Sequence, residues 1–367
     1  MKQSNPNKII VIQPVVPSYR KGFFNAAAPL LGERFTVHAS DLSMGVLTEQ
    51  TVVEPWRSTL GPMLRLGPGM EWQRGALSVP IERGDVVIVS GAPRCLSNIM
   101  LLLKARLLGA HTVWWGQLWS ATSRWHRFIL RLMLMRLAHS VLFYTDAEVA
   151  AYKARFGRWD RRLLAALNNG IDVKPIQARR APYDAATRPN DILFLGRLTQ
   201  KAQIPLLLQS MTKAPLAGAT LHVVGDGPDR GTLSDWAKEN GLETRVIWHG
   251  GTVDESEIAS IANHSAVFCY PGGVGLSLIH AMAYGLPAVV HDERRTHMPE
   301  IAAFEAGITG ETFAKGDPAA LARSLAALLA TPERRARMAR EAMRRADETY
   351  NTKEMAERFV AMMEDIK

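Results

Sequence analysis

The sequence predicts an α/β protein of two domains, each a parallel sheet wound with helices, and three observations predict it. The chain has 367 residues, 47% hydrophobic and 22% charged, which is enough to fill more than one core. Short β-branched runs alternate with helical stretches of the length that a crossover between parallel strands needs. A polar, proline-rich stretch over 176–190 separates two such series and reads as a linker between domains spanning 1–175 and 191–350.

Lys8 to Val16 is the first strand, its isoleucines and valines consecutive as in a strand covered on both faces. Arg20 to Leu31 suits a helix. Phe35 to Ala39 and Asp85 to Ser90 are further strands, the second centred on Val86-Val87-Ile88-Val89. Leu96 to Leu108 is a helix, and Thr112 to Trp115 a strand. Beyond 190 the strands are Asp191 to Leu195, Thr220 to Val224, Arg245 to Trp248, Ala266 to Tyr270 and Ala288 to His291. The helices between them are Pro205 to Met211, Asp229 to Asn240, Glu255 to Ala262 and Leu276 to Tyr284. Pro318 to Tyr350 forms helices with solvated charged faces, and the last segment, 351–367, carries an amphipathic helix over Thr352 to Asp365.

Composition excludes several classes. The two cysteines, Cys95 and Cys269, lie 174 positions apart, which offers neither a disulfide framework nor zinc-ligand spacing and fits a reducing compartment. The polar Met1–Lys8 is followed by apolar residues broken at Gln13, Pro14 and Pro17, a strand and not a signal peptide. No apolar run approaches the ~18 residues of a spanning helix. The net charge of +9 divides into +12 over residues 1–185 and −3 over 186–367. A basic half attracts polyanions, but its tryptophans and arginines form no nucleic-acid motif, so no nucleic-acid partner is expected.

Two runs in the second domain follow strands, Phe194-Leu195-Gly196-Arg197-Leu198 and Val223-Val224-Gly225-Asp226-Gly227-Pro228. Glycine at the carboxyl end of a parallel strand lets the chain turn tightly where open α/β sheets bind ligands. Arg197 is then either an anion-binding cation or a surface arginine in a turn. The run from Tyr270 to Pro287 is more specific: a strand ends at Pro271, Gly272, Gly273 and Gly275 follow, and a helix opens near Gly275. Such a helix start holds phosphate through unpaired amides and the helix dipole, with Arg197 and Lys201 converging on the same edge. The other reading is a packing turn.

Gly196-Arg197-Leu198, Val224-Gly-Asp-Gly-Pro228, the Pro271–Pro287 run, Pro299-Glu300-Ile301 and Gly307-Ile-Thr-Gly310 stand in the order that resembles retaining glycosyltransferases of the GT-B fold, family 4, of the bacterial cell-surface polysaccharide type. Asn169-Gly170-Ile171-Asp172 looks like that family's motif at the end of the first domain, and Pro17-Ser-Tyr-Arg20-Lys-Gly-Phe-Phe24 is similar to the entry of some polysaccharide members. The resemblance implies two Rossmann-like domains facing a central cleft, with the terminal helix returning to the first. It further implies transfer of a sugar from a nucleotide-diphosphate sugar to a hydroxyl of a saccharide or lipid-linked acceptor, with retention of configuration. Arg197 and Lys201 would neutralise the diphosphate, and the turn Gly273, Val274, Gly275, Leu276, Ser277 would donate amides to sugar or phosphate. Gly196 and Gly225 would border the donor. No Asp-x-Asp motif occurs, so no metal or other cofactor is expected.

The chain also departs from that pattern. The family usually carries two glutamates with seven residues between them, and those places are Gly272 and His280 here. His280 can offer a hydrogen bond to a hydroxyl, whereas Gly272 offers only backbone. Lys201 sits one position early, with Ala202 and Gln203 where Lys-Gly is usual. The histidine that many relatives carry near the reacting carbon is replaced by Trp114-Trp115-Gly116-Gln117. Gln117 could hydrogen-bond a sugar and Trp115 stack on one, or both tryptophans could be core, and His111 is structural or exposed. The altered glutamate pair leaves a second class open, a degenerate GT-B protein that binds nucleotide or glycan without turnover.

Ser123 to His139 alternates arginines with large apolar residues, and at ~100° per residue Arg124, Arg127 and Arg131 share one helix face. That face suits anionic headgroups and points to a cytoplasmic protein peripheral on the inner face of the membrane, the other reading being a plain amphipathic helix without membrane contact. Tyr19, Arg20 and Lys21, after the first strand, would meet the acceptor's pyrophosphate or sugar.

Overall fold

The computed structural model describes residues 7–41, 54–119 and 125–366. Its contacts divide the chain into one unit of residues 1–168 and 352–367 and a second of 169–351.

The first unit is built on a seven-stranded, all-parallel sheet of order β3-β2-β1-β6-β7-β8-β9. Its strands are β1 (Ile9–Val15), β2 (Phe35–Ser40), β3 (Arg57–Leu60), β6 (Val86–Ser90), β7 (His111–Trp115), β8 (Ser140–Phe143) and β9 (Leu164–Ala166), while β4 (Met63–Gly67) and β5 (Met70–Gln73) form a separate antiparallel hairpin. β1 is central, Ile9–Ile12 pairing with Phe35–His38 on one side and Val86–Val89 on the other, so its unbroken apolar run is buried on both faces. Helix α1 (Ser18–Leu31) and the terminal helix Thr352–Asp365 cover one face, where Phe23, Phe24, Trp115 and Phe359 meet edge to face or tilted. Helices α2 (Leu96–Leu107), α3 (Trp125–Met135) and α4 (Asp146–Phe156) cover the other. A capping box between Thr145 and Glu148 opens α4.

The second unit has a six-stranded parallel sheet of order β12-β11-β10-β13-β14-β15. The strands are β10 (Asp191–Leu195), β11 (Thr220–Val224), β12 (Val246–Gly250), β13 (Val267–Tyr270), β14 (Ala288–His291) and β15 (Gly310–Phe313). Its helices are α5 (Lys174–Gln177), α6 (Ile204–Met211), α7 (Arg230–Glu239), α8 (Glu255–Ala262), α9 (Leu276–Ala283), α10 (Pro318–Leu329) and α11 (Pro332–Glu348). Successive strands add outward from β10 to β12, then the chain returns to the other side of β10 as β13. The strand order therefore reverses between β10 and β13, the place where such sheets open a crevice for ligands.

Two expectations need correction. Residues 176–190 do not link the units, because the chain crosses between them at Asn168–Asn169 and at Asn351–Thr352. The stretch is instead strapped along the second unit. Tyr183 donates its hydroxyl to the Ala266 carbonyl at 2.6 Å, Arg188 donates to the Ala262 and Ser265 carbonyls, and Arg180 pairs with Asp347 at 2.7 Å. Proline and charge in a sequence mark a surface strap as readily as a linker. In addition β3, β8, β9, β15 and the hairpin were not anticipated. They are strands of three to five residues, too short to display a period. Among the described residues no helix is long and apolar enough to cross a membrane.

Candidate functional site

At the carboxyl ends of β10 and β11 the ladder continues past the strands. The Gly196 amide donates to the Val224 carbonyl at 3.0 Å and the Leu198 amide to Asp226 at 2.9 Å. Leu198 is wholly buried in the core while Arg197 between them is exposed, as the alternation of a strand requires. The glycines are demanded by close approach. A Cβ on Gly225 would lie 1.8 Å from the Gly196 carbonyl oxygen, and one on Gly227 2.2 Å from that of Leu198. Gly196 runs under the ring of Tyr270, which stacks on Phe194 at 5.0 Å, so the ends of β10 and β13 are joined across the switch point.

Gly272 closes the other side of that junction. A Cβ there would meet the Lys201 carbonyl oxygen at 2.0 Å, and the Gly273 amide donates to the same oxygen at 3.3 Å. No glutamate fits at 272 without displacing the turn Gln200–Ala202. Lys201 is exposed on that turn. Gln203, just after it, is held at φ 53°, the left-handed region, which explains why glycine is usual at this place.

The turn's own amides are partly spent, which corrects the expectation that all of Gly273 to Ser277 face a ligand. Gly273 gives its amide to Lys201, and Val274, its side chain wholly buried, gives its amide to His297 Nδ1 at 3.2 Å. The donors that helix geometry leaves over are those of Leu276 and Ser277 in the first turn of α9, beside Gly275. His280 has one ring nitrogen engaged as well. Its Nε2 bonds Glu255 Oε1 at 2.9 Å, its ring stacks on Tyr284, and the Tyr284 hydroxyl donates to the same carboxylate. Burial pushes the Glu255 carboxyl up, but those two bonds outweigh it and hold it below its ordinary range. Glu255 was not foreseen, since Asp254-Glu255-Ser256-Glu257 reads as the acidic start of a helix. Glu300 stood in the Pro299-Glu300-Ile301 run without a stated role; its buried carboxylate accepts from Asn169 Nδ2 at 3.0 Å and lies beneath Gly275.

Residues 175–345 match the family model Glycosyl transferases group 1. Solved structures agree on the fold. The chain is similar over 99% of its length, and 99% of theirs, to a glycosyltransferase of Rickettsia africae at TM-score 0.72 and 13% identity. It is similar to Anabaena HepE, solved in complex with UDP, over 98% of its length and 100% of that chain at TM-score 0.71 and 14% identity. A lipopolysaccharide 1,6-galactosyltransferase of Salmonella typhimurium is 25% identical over 42% of this chain and 42% of its own length. The matched stretches span about half or less of the length of the curated relatives. The fold is GT-B, and the stretch that matches the group 1 model lies within the second unit, where all the motifs just described lie.

The first unit of this GT-B chain holds its expected residues differently. Trp114 and Trp115 are both core, 0% and 1% exposed, so Trp115 offers no face to a sugar. It stacks instead on Arg20, whose guanidinium lies 4.4 Å from its ring centre and 5.2 Å from that of Tyr144. Arg20 is 6% exposed with Nη1 unpaired. Tyr19 is 46% exposed, and Lys21 pairs with Glu54 at 3.2 Å. Gln117 is half-buried in a loop pinned by Glu148, which accepts from the Leu118, Tyr144 and Thr145 amides. His111 is structural, bonded to Ser140 at 2.8 Å and pushed down to about 4 by burial, with His139 adding to the effect.

The arginine face is also redrawn. Arg124 lies outside the described residues, Arg127 is exposed, and Arg131 turns inward to the Leu118 carbonyl at 3.4 Å. What α3 exposes is Trp125, Ile129, Leu130 and Met133, with Arg127 and, just past its end, Arg136, while α2 in the same layer exposes Met100, Leu103 and Leu107. No acidic residue occurs between Asp85 and Asp146. Among the described residues no group of three or more histidine, cysteine or carboxylate side chains is arranged to hold a metal.

Proposed function

We propose that the chain is a glycosyltransferase that moves a sugar from a nucleotide-diphosphate sugar to a hydroxyl of a saccharide or lipid-linked saccharide, with retention and without a metal, in surface polysaccharide or glycolipid synthesis. One observation carries this: Arg197, the Lys201 turn and the amino end of α9 all border the β10/β13 switch point of a group 1 domain. Two cations and a helix amino end are the groups that stabilise the charge of a departing diphosphate. The donor's C1–O bond to phosphate breaks, the acceptor oxygen bonds C1 on the same face, and the acceptor proton passes to a phosphate oxygen. Arg197 and Lys201 hold the leaving group. The first unit receives the acceptor, with Arg20 aimed at its phosphate or sugar beside Tyr19.

Calorimetry with UDP, GDP, ADP and dTDP on wild type and Arg197→Ala tests the donor site. Binding of one nucleotide, weakened at least tenfold in the variant, with nucleotide release from the matching sugar donor, is expected. Tight nucleotide binding without release favours a binder without turnover, which the loss of glutamates at Gly272 and His280 keeps in view. Arg20→Met is expected to raise the acceptor KM and leave nucleotide affinity unchanged.

The acid-free stretch with the exposed apolar faces of α2 and α3 supports peripheral contact with an anionic bilayer, at the cytoplasmic face. Trp125→Ser with Met133→Ser should cut recovery on phosphatidylglycerol vesicles severalfold; unchanged recovery would count against this contact.

A further inference from the structure

A buried histidine pair under the glycine turn has no part in the function proposed so far. His291, the last residue of β14, and His297 stack face to face with ring centres 3.8 Å apart and planes at 18°, and they are 2% and 3% exposed. His297 makes two hydrogen bonds whose directions are set by main-chain partners. The Val274 amide can only donate, to Nδ1 at 3.2 Å, and the His291 carbonyl can only accept, from Nε2 at 3.0 Å. Together they admit one state, the neutral ring with its proton on Nε2. The contact is reinforced from the main chain, since the Met298 amide donates to the Val274 carbonyl at 2.9 Å, and Gly273 lies so close that a Cβ would come within 2.7 Å of the Thr296 carbonyl.

We infer that His297 is a positioning residue for the donor turn, fixing Gly272–Gly275 through the Val274 amide so that the first amides of α9 keep their aim. The inference rests on the proposal that this turn faces the donor phosphates. A second ring proton would meet the Val274 N–H donor to donor and release the turn. The groups facing the pair are Asp292 and Glu293 after β14, Arg294 in the following turn, and Lys315 beyond β15, which bonds Glu293 and Thr296. The glycine turn itself brings no titratable side chain. Burial pushes His297 below the ordinary histidine value; the bond to the His291 carbonyl opposes this without cancelling it, and the cations Arg294 and Lys315 add to the lowering, so the neutral ring persists into mildly acidic solution.

Three proteins test this: wild type, His297→Phe, which keeps the stack and loses the acceptor, and His297→Asn, whose side-chain oxygen can accept but does not titrate. Ring-nitrogen NMR at neutral pH is expected to report the Nε2–H tautomer. Val274 amide exchange should rise about tenfold in His297→Phe, and UDP, or whichever nucleotide wild type binds, should bind about tenfold more weakly. His297→Asn should recover most of the neutral-pH affinity and flatten the loss that wild type shows on acidification. An Nδ1–H tautomer, or wild-type Val274 exchange and nucleotide affinity in His297→Phe, overturns the inference. If wild type binds no nucleotide, the donor proposal fails on its own, and tautomer and exchange still decide the role of His297. If the Phe variant does not fold, the pH profile of His297→Asn decides it.

Discussion

The two units share an architecture and differ in what builds their carboxyl-end loops. In the second unit the loops are main chain against main chain, with Gly225, Gly227 and Gly272 each admitting no Cβ. In the first, Gly91 and Gly116 also approach main chain to main chain at the ends of β6 and β7, but aromatic rings and a buried cation are added, with Arg20 layered on Trp115 and Tyr144. A backbone-built site has a fixed sequence signature, because close approach dictates glycine at set spacing. A side-chain-built site has none, since rings from distant segments can meet in many ways.

The largest effect expected of a single change lies in the first unit. Phe359→Ala removes a ring that touches Phe23, Phe35 and Trp115 and should cost about 3–5 kcal/mol, read by denaturant unfolding, with nucleotide affinity unaltered in the protein that remains folded. The converse in the second unit is Gly272→Glu, which restores the family's carboxylate on paper. It should instead displace the Lys201 turn, costing on the order of 3 kcal/mol and weakening nucleotide binding at least a hundredfold; a variant that binds normally would show the turn to be pliable.

Acid should tell the units apart less. His291 is pushed down to about 4 by burial first and by His297 second, and His111 likewise reaches about 4. The unfolded chain takes up protons near pH 6.5 that the folded rings refuse, so the stabilisation is complete above pH 6.5 and lost as pH falls toward 4. It amounts to roughly 2–3 kcal/mol per ring. Urea midpoints measured through that window should fall in wild type and fall less steeply in His291→Gln. The smallest effect is a gain: Gln203→Gly relieves a left-handed residue and should add about 0.5–1 kcal/mol, whereas the same change at Gln200 should not.

The contrast also explains what could be read in advance. The two parallel α/β domains were legible because β1, β6, β10, β13 and β14 carry apolar runs, the GT-B arrangement only through the resemblance of the motifs, and the glycine-built edge because its glycines are obligatory. Three contacts were illegible. Glu255 reaches His280 across 25 positions, His297 reaches Val274 across 23, and Trp115, for which the sequence left a sugar face and the core both open, is core because α1 and the terminal helix close over it. Arg131 carried the charge pattern of a surface face, yet a carbonyl at Leu118 draws it inward. Periodicity predicts which residues share a helix face but not which face meets the sheet.

That terminal helix has a consequence for the order of events during synthesis. Met355, Phe359, Met362 and Met363 complete a core whose other walls are Phe23, Phe24 and Val37, residues made more than three hundred positions earlier. The second unit is contiguous and can fold as soon as it leaves the ribosome. The first must wait with its aromatic wall uncovered until residues 352–366 emerge, so the unit begun earlier is the later to become secure, and it is the one on which chaperones and proteases have longer to act.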